Sequence, residues 1–246
     1  MLILSDFTET SHVQNTLFTP GFSFITHKTL VELLQIKPGM FDGDPVVLPL
    51  PSDAPPELPR IILQDKTGSL KLEVAPLRIN FHRIKINEDD KVNIHDSMLL
   101  AADILKDYLD KSGAKCGRIA TVLKRFSLKD DPSIEIANHF CKEKFLRMPF
   151  DRPASFELHA RKRYIFSESF EVNSWVRIKS GNVQYPSVPS LPIVLVEQDI
   201  NTISEVMEVK QYTGEEISSF FRLIFAEFND ILQLYFPKNK GDCHDC

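Results

Sequence analysis

The chain has 246 residues, 43% of them hydrophobic and 18 of them phenylalanine, which is ample for a core and too apolar for a disordered chain. A formal net charge of −5 argues against general nucleic-acid binding, which calls for a positive excess to neutralise phosphates. The opening Met-Leu-Ile-Leu is cut short by Asp6, and no apolar run approaches a membrane span, so neither signal peptide nor membrane segment is expected. Four cysteines (Cys116, Cys141, Cys243, Cys246) in so long a chain make no disulfide scaffold and fit a reducing, cytoplasmic setting.

Residues 1–21 are polar and patternless, an arm or an added strand, and Phe22-Ser-Phe-Ile is a short strand candidate. Leu30, Val31, Leu33 and Leu34 predict a short helix over 28–36, stopped by Pro38-Gly39. Six prolines within 45–59 exclude a helix or a central strand and predict an extended connection over the surface. Residues 61–64 and 70–74 flank Asp65-Lys-Thr-Gly68 and read as a hairpin. A strand over 77–86 follows, with a phase slip between Phe81 and Ile84 that suggests a bulge. Asn93 is a cap for a helix with apolar Ile94, Met98, Leu99, Ala102, Leu105 and Leu109, ended by Gly113.

A strand over 118–128 precedes a helix from Pro132 to about Lys142, with Asp131 at its cap. Two alternating strands meet at Ser167-Glu168, and an irregular proline-marked link leads to an apolar strand over 193–196. Thr213 and Glu216 form a capping box for a long helix, in which Ile217, Phe220, Phe221, Ile224, Phe225, Phe228, Ile231, Leu232 and Tyr235 recur at helical steps. Meanders followed by helices predict an α+β fold of antiparallel sheets, with long amphipathic helices packed on one face. Strands then a long helix occur twice, which suggests an internal pseudo-repeat. The divisions are 1–59 (arm, short helix and proline-rich connection), 60–115 and 116–237 (the two halves), and 238–246 (a tail).

Candidate chemistry is sparse. Cys243-His-Asp-Cys246 has zinc-knuckle spacing, but a tetrahedral site needs a second knuckle and none exists, so no metal or cofactor is implied. Arg161-Lys-Arg163 with Tyr164 and Phe166 looks like a base-stacking strand. Alternation, however, sends the aromatics to one face, toward the core, and the arginines to the other, toward solvent or Glu171. The histidines (His12, His27, His82, His95, His139, His159, His244) show no metal-protease spacing and no nucleophile motif. With nine glycines, the chain carries no phosphate loop. Asp103 and Asp107 lie one turn apart on a solvated helix face. Glu197, Gln198 and Asp199 close an apolar strand, and acids at a strand end can serve catalysis, which makes Asp199 the leading acidic candidate.

One resemblance extends across residues 60–236. A hairpin around Asp65-Lys-Thr-Gly68 leads to Leu77-Arg-Ile-Asn-Phe-His-Arg83, and a late apolar strand ends on Asp199-Ile-Asn before the final helix. This is similar to a sporadically distributed bacterial family of uncharacterised proteins of about this length. Asn80, Phe81 and Arg83 match its Asn-aromatic-basic signature, with Phe81 where the family usually has tryptophan. The resemblance implies a fold and a patchy genomic occurrence of the kind seen in defence, toxin–antitoxin or mobile-element settings, and no reaction.

Read as a whole, the sequence predicts a non-catalytic protein-binding or interaction module with a protein partner or self-association. Two alternatives stand beside it. One is an enzyme of unfamiliar motif, a hydrolase or nuclease accessory, using acidic and histidine residues assembled by the fold. The other is a small-ligand protein with an apolar cavity lined by Phe220, Phe221, Phe225 and Phe228.

Overall fold

The segment that composition leaves as an arm or an added strand supplies β1 (Glu9–Phe18), and β1 runs through the middle of the sheet. The computed structural model describes residues 1–51, 53–148, 151–186 and 189–239. After β1 come α1 (Thr26–Leu33), β2 (Val46–Val47), β3 (Ile61–Gln64), β4 (Leu70–Val74), β5 (Arg78–Ile84) and α2 (Ile94–Ser112). Then follow β6 (Arg118–Leu128), α3 (Pro132–Phe140), β7 (Glu157–Phe166), β8 (Phe170–Val183), β9 (Leu191–Thr202) and α4 (Gly214–Tyr235). Among the described residues the strands form one nine-stranded sheet in the order β2-β3-β4-β5-β1-β6-β9-β8-β7, every pair antiparallel. The chain is therefore α+β. Among the described residues, no helix is long and apolar enough to cross a membrane.

Strand alternation divides the sheet into two faces. Val13 and Leu17 of β1, Ile79 and Phe81 of β5, Leu123 of β6 and Ile200 of β9 point to one side. There they share a core with Leu33 of α1, Leu105 of α2, and Phe220, Phe221, Ile224 and Phe228 of α4. A second cluster gathers Ile136 of α3 with Val176, Ile178, Val194, Val196 and the end of α4 at Leu232 and Phe236. Each fully buried side chain of this size contributes about 1.5–3 kcal/mol.

The helix ends follow local chemistry. Asn93 accepts a hydrogen bond from the Asp96 amide at 3.2 Å, and Gly113 closes α2 in the left-handed conformation at φ 68°. Thr213 Oγ1 accepts from the Glu216 amide at 3.2 Å while the Glu216 carboxylate accepts from the Thr213 amide at 2.7 Å, so both halves of the capping box are made. Asp131 holds the cap position of α3 without a side-chain bond.

Several local expectations move. Phe22-Ser-Phe-Ile forms no strand; the Phe22 ring instead packs edge-on against Tyr108 at 6.4 Å. The register irregularity lies in β1, between Thr10 and His12, rather than in β5. The strand expected over 193–196 runs from Leu191 to Thr202, because Gln198 and Ile200 continue the buried alternation beyond the apolar run. Ser167 and Glu168, with φ of 49° and 59°, open the three-residue connection 167–169 that turns β7 into β8. The proline-rich stretch makes one two-residue strand, β2, at the sheet's margin.

Gly117 sits where backbones meet. A Cβ there would overlap the Met207 carbonyl oxygen and stand 2.9 Å from Pro20 Cγ. Gly117→Ala is expected to cost about 1–3 kcal/mol, as overpacking does, read as a lower urea midpoint with unchanged slope. An unaltered midpoint would show that the 203–211 loop is not held against β6.

Candidate functional site

The other half of each strand points away from the helices. On the central strands this opposite face is polar: His12, Gln14 and Thr16 of β1, Asn80 and His82 of β5, Lys124 of β6, Glu197, Asp199 and Asn201 of β9, and Arg177 of β8. Alternation puts these residues on one side, since they are paired in register across the sheet. Tyr185 reaches back over one end, where it forms a small apolar cluster with Phe126 and Ile193.

Two linked groups occupy the face. The first lies on β4, β5 and β1. His12 Nε2 is 3.0 Å from His82 Nδ1 with the rings stacked at 15°, and His82 Nε2 lies 3.4 Å from the Glu73 carboxylate, which Lys71 meets at 2.5 Å. Beneath them a buried relay runs from Gln14 to Thr16 at 3.2 Å and from the Thr16 hydroxyl to Asn80 Oδ1 at 2.9 Å. The second group lies on β6, β9 and β8. Glu197 takes Arg177 at 2.6 Å and Lys124 at 3.3 Å. Asp199 accepts from Asn201 Nδ2 at 2.9 Å, with Arg177 further off at 4.0 Å. Arg118 donates to Asn201 Oδ1 at 2.7 Å and to the Thr202 carbonyl at 3.0 Å.

These surroundings move the acids and bases apart. The His82 imidazole and Lys71 hold the Glu73 carboxyl down at about 2, against burial. Burial, with His82 and Lys124 nearby, pushes His12 down to about 4. Burial alone would raise Glu197, but Arg177 and Lys124 outweigh it and its carboxyl lies below the ordinary value. At Asp199 the balance reverses: burial outweighs Asn201 and Arg177, and its carboxyl is raised. Neighbouring carboxylates thus differ because one has two close cations and the other has Arg177 at 4.0 Å and Arg118 further off.

Asp199, the leading acidic candidate, is therefore not at a strand end. It lies inside β9, in register with Val122 of β6 and Trp175 of β8, two strands in from the β7 edge. His12 and Asp199 stand two strands and two residues apart, roughly 10–12 Å by ordinary sheet spacing, so the two groups do not converge on one reacting atom. Phe220, Phe221 and Phe228 are fully buried, with Phe220 edge-on to Phe166, Phe170 and Phe221 at 5.3–5.8 Å. Phe225 is partly buried and meets the His95 ring at 5.8 Å. Asp103 is exposed and pairs with Lys37 at 3.3 Å, and Asp107 is half-buried. Arg163 bonds Glu171 at 2.7 Å, as alternation predicts, and also Glu205 at 2.8 Å.

Among the described residues, no group of three or more His, Cys, Asp or Glu side chains could hold a metal ion. Cys243 and Cys246 lie outside the described residues. Sequence reading missed the Glu73–His82–His12 line and the role of Arg177, and both omissions have one cause. With β1 unrecognised and β9 cut short, the strands that carry these residues were not known to be adjacent. No family model matches the sequence, and no curated protein matches it.

Proposed function

We propose that this chain is a non-catalytic protein-binding module that takes its partner on the polar sheet face centred on Val122, Lys124, Glu197 and Asp199. The observation that carries this reading is the state of those groups: ordered on central strands, partly exposed, and charge-compensated side by side. Pre-positioned donors and acceptors of this kind lose little freedom on binding and give specificity more than raw affinity. Cys116 and Cys141, free cysteines, fit a cytoplasmic setting. The same reading includes an internal duplication. The connectivity β1, short helix, β3-β4-β5, α2 recurs as β6, short helix, β7-β8-β9, α4, with β1 and β6 paired at the centre.

The half-exposed Val122 is the place to test this. Val122→Arg is expected to keep the thermal midpoint and to lose at least tenfold of a defined protein partner co-eluting with the tagged chain from its own cells. Arg222→Glu, on the exposed side of α4, is the control that keeps it. Equal retention by both variants would remove the open face from the reading.

A second reading, an enzyme, is favoured by one observation. Glu197 and Asp199, two residues apart on one face, have their carboxyls moved in opposite directions, the arrangement acid–base pairs use. It requires a turnover that Asp199→Asn abolishes without loss of stability.

A further inference from the structure

The two edges of the sheet are finished very differently. One is β2, two residues long inside a proline-rich stretch, a blunted edge. The other is β7, ten residues long and, among the described residues, paired only with β8. An uncovered edge of this length presents a row of backbone donors and acceptors that another strand can take up.

We infer that the β7 edge binds an extended acidic segment of a partner protein by strand addition. Arg161, Lys162 and Arg163 stand in succession at the centre of the edge, all exposed. Arg163 is paired with Glu171 and Glu205, but among the described residues Arg161 and Lys162 meet no acid; they lie over the Trp175 ring at 5.1 Å and the Tyr164 ring at 5.8 Å. On the helix side of the same edge a mainly apolar groove of about 330 Å³ separates β7 from α4, lined by Tyr164, Val176, Ile231 and Leu234 with Lys162 and Glu227 among them. Leu234 is 82% exposed there. Tyr164 fixes the groove's inner wall by donating to Glu227 at 2.5 Å.

A strand laid along β7 alternates its side chains between these two surroundings. Every second residue enters the apolar groove, and those between face Arg161 and Arg163. The segment recognised is therefore apolar and acidic in alternation. A second copy of β7 is a poor occupant, because antiparallel pairing over the centre sets Arg-Lys-Arg against itself, and like charges directly opposite are destabilising. Arg161 and Arg163 lie on the open-face side of the sheet, two strands from Asp199, whereas Leu234 lies on the helix side, so Leu234→Glu tests the edge without altering the open face.

Trp175 is the only tryptophan of the chain and lies in register with Arg161, which makes its fluorescence a probe of the edge. A synthetic ten-residue peptide alternating valine and glutamate, titrated into the full chain, is expected to give a saturable change with micromolar Kd. Arg161→Glu combined with Lys162→Glu should weaken it at least tenfold and gain affinity for the matching valine–lysine peptide. Leu234→Glu, away from the strand itself, should weaken the acidic peptide too and serves if the double variant does not fold. The proposal is overturned by no saturable change up to millimolar peptide, or by equal binding of a peptide with the same residues in two blocks. Tighter binding of single-stranded DNA of the same charge, or a dimer in light scattering that the double variant abolishes, overturns it equally by assigning the edge to nucleic acid or to self-association.

Discussion

Phe220→Ala is expected to remove about 3–5 kcal/mol of stability, which is a third or more of what a domain of this kind usually has. The side chain is fully buried and edge-on to three other rings, from β7, β8 and its own helix. Removing it deletes the transfer energy of a phenyl group and leaves a void whose walls are held by two strands and cannot close. Geometric pairing of aromatic rings adds about 0.5–1.5 kcal/mol per pair to the loss. The measurement is urea denaturation followed by Trp175 fluorescence and by circular dichroism. Phe225→Ala, at a partly buried position on the same helix, is the comparison and should cost clearly less. Equal costs at 220 and 225 would mean that α4 is not seated on the sheet by the face that carries Phe220.

Acidification is expected to destabilise the protein in two steps, both from the first polar group of the open face. His12 titrates at about 4 when folded and at 6.5 when its surroundings are water. Between those values the unfolded chain takes up a proton that the folded chain refuses, so stability falls as pH drops from 6.5 toward 4. The loss from this one group is on the order of 2–3 kcal/mol. Glu73, at about 2 against an ordinary 4.5, continues the fall below pH 4.5, because its contact with His82 and Lys71 is lost only when it is protonated. Asp199 works in the opposite sense: its raised carboxyl takes a proton earlier in the folded chain and returns part of the loss. Denaturation series at pH 7.5, 5.5 and 4.0 check this. His12→Gln should flatten the profile between 6.5 and 4 and leave the part below 4.5 in place. A variant that loses as much stability as the parent across the upper window would show that His12 is not the group responsible.

The same residues show why some of this protein was legible and some was not. The hairpin over 61–64 and 70–74, β6, and the caps at Asn93, Gly113, Thr213 and Glu216 are all set by neighbours within a few positions, and local pattern located them. The core role of Phe220, Phe221 and Phe228 follows from helical period in the same way. β1 gave no such signal. Asn15 interrupts its apolar alternation between Val13 and Leu17, and it is tolerated because Thr121, 106 residues away, donates to Asn15 at 3.1 Å. The polar half of β9 was hidden for a related reason: Gln198 is buried because its amide donates to the Phe228 carbonyl of α4 at 2.8 Å.

By itself, the sequence determined the elements whose cause is local: turns, caps, the helical faces and an α+β composition, since these depend on backbone preference and on apolar spacing along the chain. Only the tertiary structure decided that a polar N-terminal segment lies between the two halves, and that Asp199, Glu197, Arg177, Lys124, His12, His82 and Glu73 share one face. Pairing between strands that are distant in sequence joins residues through register, and register is fixed by long-range hydrogen bonds and packing that no local pattern encodes.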